Sequence, residues 1–82
     1  NKNRLLWASR RGMLELDLIL QPFTEYHYDF LEESDQLRFQ ELLELEDQDL
    51  FLWLMNREIA VDPDIKRIVQ IIRESRKPSN AV

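Results

Sequence analysis

The stretch Gly12-Met13-Leu14-Glu15-Leu16-Asp17-Leu18-Ile19-Leu20-Gln21-Pro22-Phe23-Thr24-Glu25-Tyr26-His27-Tyr28-Asp29-Phe30 decides the fold class. Met13, Leu16, Ile19, Leu20, Phe23, His27 and Phe30 recur at the 3.6-residue period of a helix, which predicts one amphipathic helix starting near Gly12. Pro22 lies inside it. A proline there removes a backbone donor and crowds the preceding turn, so a kink, or a break into two pieces, is expected just before Phe23. The periodicity that runs through Pro22 favours the kink.

Helical signals continue on both sides of this stretch. Residues 2 to about 10 present Leu5, Leu6 and Ala8 and end in Arg10 and Arg11, cations that suit a helix C-terminus. Ser34 is the expected N-cap of a third helix bearing Phe39, Leu42 and Leu43, with Asp35 in its first turn, and Asp47 is the expected N-cap of a fourth. That fourth segment, Leu50-Phe51-Leu52-Trp53-Leu54-Met55, is apolar nearly all round, which predicts a central core helix or an interface and favours the core over the interface for Trp53. Asp62-Pro63 is an N-cap followed by a proline at the first helical position, and Ile65, Ile68, Val69 and Ile72 follow at core spacing. The reading is all-α, a compact bundle of about five short helices, with residues 1–76 forming a single helical domain and 77–82 a frayed C-terminal tail.

Composition narrows the chemistry. The 82 residues contain one glycine and no cysteine, which excludes a disulfide framework, a zinc thiolate site, an iron–sulfur cluster and a glycine-rich phosphate loop. Hydrophobic residues at 44% and charged residues at 33% describe a globular chain. The longest apolar run, Leu50 to Met55, is six residues, whereas a bilayer span needs about 20, so no membrane insertion is expected. No positively charged and apolar leader pattern opens the chain, and targeting is not legible from it.

Charge is unevenly distributed. Residues 1–11 carry +4 from Lys2, Arg4, Arg10 and Arg11; residues 12–49 carry −11, with Arg38 their only base; residues 50–82 carry +2, for a net −5. Nucleic-acid binding depends on neutralising several phosphates with one basic patch, and the acidic middle opposes it. The single histidine, His27, sits on the apolar stripe and reads as a hydrogen-bonded, partly buried residue rather than a catalytic base. The acidic run Glu41, Glu44, Glu46, Asp47, Asp49 lacks the glycine that a calcium loop requires at its sharp turn, and reads as a solvated helix face. No catalytic residue and no metal ligand is expected.

Arg10-Arg11-Gly12-Met13-Leu14-Glu15-Leu16-Asp17 stands apart, because it sets the only glycine between two bases and two acids. One reading is structural. Gly12 ends the first helix in the left-handed conformation and stands as N-cap of the second, while Glu15, at the third helical position, reaches back to the N-cap N–H as in a capping box. The other reading makes Arg10 and Arg11 an exposed pair that recognises carboxylates on a partner. Glu15 and Asp17 project about 200° apart on a regular helix, so one is expected to support the corner while the other faces out.

Trp7-Ala8-Ser9-Arg10-Arg11-Gly12-Met13-Leu14-Glu15-Leu16-Asp17, with Pro22-Phe23, Tyr28-Asp29, Asp49-Leu50-Phe51 and Trp53-Leu54-Met55-Asn56, resembles the FAD assembly factors of succinate dehydrogenase over about residues 4 to 72. The Arg-Gly-x-x-Glu-x-Asp signature is complete, and Leu-Phe-x-Trp-Leu is a second, independent match. Relatives often carry cysteine where this chain has Ser9, outside the signature. The resemblance implies a five-helix protein that is not itself an enzyme. It would bind the flavoprotein subunit of succinate dehydrogenase, or of fumarate reductase, and promote covalent attachment of FAD to a histidine of that subunit. It also implies a partner-binding set of Arg4, Trp7, Arg10, Arg11, Gly12, Glu15 and Asp17, with FAD belonging to the partner. A chain monomeric when free is implied too, located in the cytoplasm of a bacterium or the mitochondrial matrix of a eukaryote. Two other readings stand beside it: an antitoxin-like module restraining a partner protein, and a helical adaptor whose acidic middle binds a basic partner.

Overall fold

The structure, a computed structural model, describes residues 2–76. Their regular elements are five α-helices and one 3-10 turn: α1 Lys2–Ala8, α2 Leu14–Tyr26, the 3-10 turn Tyr28–Phe30, α3 Glu33–Leu42, α4 Asp47–Leu54 and α5 Pro63–Ser75. The all-α reading holds. The frayed tail expected over 77–82 lies outside the described residues.

α2 is the central element, packing against α1, α4 and α5, while α3 packs on α5. It stays one helix through Pro22, the milder of the two expected outcomes. Pro22 leaves the carbonyl of Leu18, four residues back, without its helical donor. Arg76, at the end of α5, donates from Nη1 to that oxygen at 3.3 Å. The stripe of α2 buries Leu16, Ile19, Leu20 and Phe23 as the spacing predicts, but ends differently. The helix stops at Tyr26 and the 3-10 turn, which gains more rotation per residue, carries Tyr28 into the core in place of His27 and Phe30. His27 is therefore exposed, stacked on Phe23 with ring centroids 5.6 Å apart, and Phe30 is 87% exposed.

Two expected caps are displaced by one residue or more. α3 begins at Glu33 behind Glu32, so Ser34 lies in its first turn, and α4 begins at Asp47 behind Glu46. Asp47 does not cap because its carboxylate accepts from Arg11 instead. α4 ends in a Schellman arrangement: Asn56 adopts φ +59, its N–H donates to Trp53 O, and Arg57 N–H donates to Leu52 O at 2.8 Å. Asparagine tolerates this left-handed conformation better than a branched residue. α5 starts as predicted, with the Asp62 carboxylate accepting from Asp64 N–H at 2.8 Å and Ile65 N–H at 3.3 Å.

The core is a single cluster in which Phe23, Phe39 and Tyr28 meet, centroids 5.1 Å apart for Phe23–Phe39 and 5.7 Å for Tyr28–Phe39. Leu42, Leu50, Leu54, Ile65, Ile68, Val69 and Ile72 belong to it, with the buried stripe of α2, Leu43 and Ala60. Trp53 is half-buried against its edge and lines a groove with Ile59, Lys66 and Val69, so only part of the ring is in the core.

Asp35, which the sequence placed only in a helix first turn, is 3% exposed and ties α3 to α5. It accepts from Arg67 Nε at 2.8 Å and Nη2 at 3.0 Å, and from Arg38 Nη1 at 2.9 Å; Arg38 Nε continues to Asp64 at 2.8 Å. The Arg67 hydrogen bond, opposed by burial and helped by Arg38, holds the Asp35 carboxyl below its ordinary 3.8. A group whose folded value is depressed contributes stability that is complete above the unfolded value and is lost as pH falls through the folded one. Thermal unfolding followed by circular dichroism should therefore show a Tm that declines below about pH 4. Asp35→Asn should lower Tm at neutral pH by about 5 °C or more and flatten that acid limb.

Candidate functional site

The corner between α1 and α2 is built by residues 9–13. Ser9 is fully buried, its hydroxyl donating to Leu6 O at 2.8 Å, so the chain leaves α1 in a fixed direction. Gly12 then reverses it with φ +82, a conformation that side-chain-bearing residues enter at a cost. A Cβ on Gly12 would meet nothing within 4 Å. The glycine is thus required by backbone conformation, not by crowding within this chain. Met13, extended at φ −112 and ψ 119, occupies the N-cap of α2 without a side-chain cap. Gly12 accordingly stands one residue before the cap, a correction to the expectation that it would be the cap itself.

The two acids of the signature separate as the 200° projection predicts. Asp17 turns inward, its Oδ1 accepting the Arg11 backbone N–H at 2.7 Å across the corner. Glu15 lies at the second helical position, is exposed, and forms no capping box. Both carboxylates remain in the first turn, where the positive helix end favours them.

The arginine pair also divides. Arg10 is exposed and borders a shallow groove with Asn3, Leu6, Trp7 and Gln21. Arg11 points into the protein, its side chain only 14% exposed. Its Nε donates to Asp47 Oδ1 at 2.7 Å, its Nη1 to Ala8 O at 2.9 Å and Leu43 O at 2.7 Å, and its Nη2 to Leu45 O at 2.7 Å. The expectation of an exposed pair therefore holds for Arg10 alone. The reason is that helix C-termini leave carbonyls without donors, and α1 and α3 both end beside this guanidinium. Its partners in the α3–α4 connection are more than thirty residues away in the chain, so no local pattern announces them.

What remains on the outer surface is a patch of mixed character. Trp7 is 76% exposed and lies one helical turn from the exposed Arg4 on α1. On α2, Leu14 and Leu18 are 69% and 58% exposed beside Glu15. The structure thus leaves Arg4 and Trp7 exposed on α1, Arg10 and Gly12 at the corner and Glu15 at the start of α2, and withdraws Arg11 and Asp17 into the support of that corner. Leu14 and Leu18 escaped the sequence reading, because the stripe of α2 draws attention to the opposite face. Among the described residues no group of three or more His, Asp or Glu could hold a metal ion.

By its geometry this is a small helical protein that presents a shaped surface, with open grooves on both sides of the corner. The chain belongs to the family described as flavinator of succinate dehydrogenase, whose model matches residues 3–76. It is 50% identical to the FAD assembly factor SdhE of Pseudomonas putida over 93% of this chain and 90% of that protein. It is 45% identical to the FAD assembly factor SdhE of Pectobacterium atrosepticum over 100% of this chain and 93% of that one. With the protein of the same name from Shewanella oneidensis it shares 45% identity over 95% of each chain. No helix among the described residues is long and apolar enough to cross a membrane.

Because nothing within the chain crowds Gly12, the cost of a side chain there is conformational. Gly12→Ala should destabilise the protein by about 1–2 kcal/mol in urea unfolding, and Gly12→Asn by less, since asparagine enters the left-handed region more readily.

Proposed function

We propose that this chain binds the flavoprotein subunit of succinate dehydrogenase, and of fumarate reductase where that enzyme is present, and promotes the covalent attachment of FAD to it. The observation that carries this reading is the corner itself. Its exposed residues Trp7, Arg10, Gly12 and Glu15 fall inside the family match and are held outward by residues of the same signature. An exposed tryptophan beside an exposed arginine has the composition of a protein-binding hot spot, where aromatic anchors and arginines carry most of the affinity.

The factor acts as a binder and not as an enzyme. With one glycine the chain has no dinucleotide fingerprint, so the flavin belongs to the partner. The partner then performs its own chemistry, and the factor helps by holding it in the arrangement that sets flavin and histidine in reacting geometry. A binder does this only through tighter affinity for that arrangement than for others. In a bacterium the site of action is the cytoplasm, and the free factor is a monomer.

Two measurements test the reading. In-gel fluorescence of covalent flavin on the flavoprotein subunit, at limiting FAD and dicarboxylate, should fall severalfold in a strain lacking this protein; undiminished fluorescence would sink the assignment. In pull-downs that subunit should be the chief partner, and capture of a toxin instead would favour the antitoxin reading. Gly12→Arg should abolish most flavinylation while retaining helical content and cooperative unfolding, because the side chain projects from the corner and not into the core.

A further inference from the structure

We propose that Arg11 is a positioning residue, an internal clasp that sets the α1–α2 corner against the α3–α4 connection, and that its guanidinium does not touch the partner. The proposal rests on the functional reading above, and it assigns the signature arginine a role opposite to that of its neighbour Arg10. Four of the five guanidinium N–H donors are already used inside the protein, on Asp47, Ala8, Leu43 and Leu45. With the side chain 14% exposed, little of the fork is left for another protein.

The geometry shows why an arginine is required. Ala8 is the last residue of α1, Leu43 is the C-cap of α3, and Asp47 opens α4. One planar fork thus joins two helix C-termini and one helix N-terminus; a lysine is a point charge and cannot span all four acceptors. The backbone of the same residue donates to Asp17 Oδ1 on α2. Arg11 is therefore tied by side chain to α1, α3 and α4 and by main chain to α2, immediately before the glycine that directs the corner outward. Loosening the clasp should leave the core of α2, α4 and α5 in place and release the presentation of Trp7, Arg10 and Glu15.

The test compares Arg11→Gln, Asp47→Ala and the double variant for binding to the purified flavoprotein subunit and for amide hydrogen exchange. A core variant, Ile72→Val or Ile72→Ala, chosen to match the Arg11→Gln loss in Tm, serves as control. The clasp predicts that Arg11→Gln weakens binding about tenfold or more and Asp47→Ala about threefold or more, with the double variant no weaker than Arg11→Gln to within about threefold. It also predicts that the backbone amide at position 11 exchanges about tenfold or more faster in both single variants while the amides of Ile68, Val69 and Ile72 keep their protection. The control should bind as the wild type does. Loss of binding in Arg11→Gln with wild-type binding in Asp47→Ala and unchanged exchange at position 11 would make the guanidinium a direct contact and overturn the proposal. Equal loss in the control would overturn it in favour of general instability. If the wild-type chain does not bind the flavoprotein at all, the functional reading fails, and the exchange measurements alone decide whether Arg11 and Asp47 hold the corner.

Discussion

One guanidinium organises the corner between α1 and α2 and the end of the bundle beside it. Helices must leave carbonyls unsatisfied at their C-termini, and a short bundle that brings two such ends together concentrates negative potential at one place. Arg11 answers that constraint with a rigid fork of donors, reaching Ala8 and Leu43 through one nitrogen and Leu45 and Asp47 through the other two. Because these acceptors come from three separate segments, the direction of α1 relative to α4 is set by hydrogen-bond geometry more than by apolar packing. α1 contributes no fully buried residue of its own, which makes that polar tie the more important.

A second ionic tie stands toward the other end of the bundle. Asp35 accepts from Arg67 on α5 and from Arg38 on its own helix, binding α3 to α5 beside their apolar contact. Between the two ties lies the aromatic meeting of Phe23, Phe39 and Tyr28. The hydrophobic core supplies most of the driving force for folding, and the ties select among the ways in which short helices with similar faces could pack. Selection of this kind suits an 82-residue chain, whose small core leaves little to specify orientation.

The same arrangement gives the signature a division of labour. Arg11 and Asp17 work inward on the corner, and Gly12 supplies its left-handed turn, while Trp7, Arg10 and Glu15 are left facing out. A surface held in advance loses less conformational entropy on binding, so more of its contact energy appears as affinity. For a protein proposed to act by favouring one arrangement of its partner, such rigidity lets differential affinity be expressed.

Much of this was legible in the sequence. Periodicity along Met13 to Phe23, the Asp62-Pro63 start and the apolar run from Leu50 each depend on near neighbours, whose spacing is written directly into the chain, and so the all-α class, the helix count and most of the core followed. The angular separation of Glu15 and Asp17 showed that only one could serve the corner; the capping-box reading chose Glu15, and the structure uses Asp17. That choice, the inward turn of Arg11, the diversion of Asp47 from its cap, the burial of Asp35 and the exchange of His27 and Phe30 for Tyr28 were decided only by tertiary structure. Each depends on groups from six to thirty-six residues apart, or on a 3-10 turn that shifts helical phase, and a charged side chain has no local signal for whether water or a distant carbonyl will satisfy it.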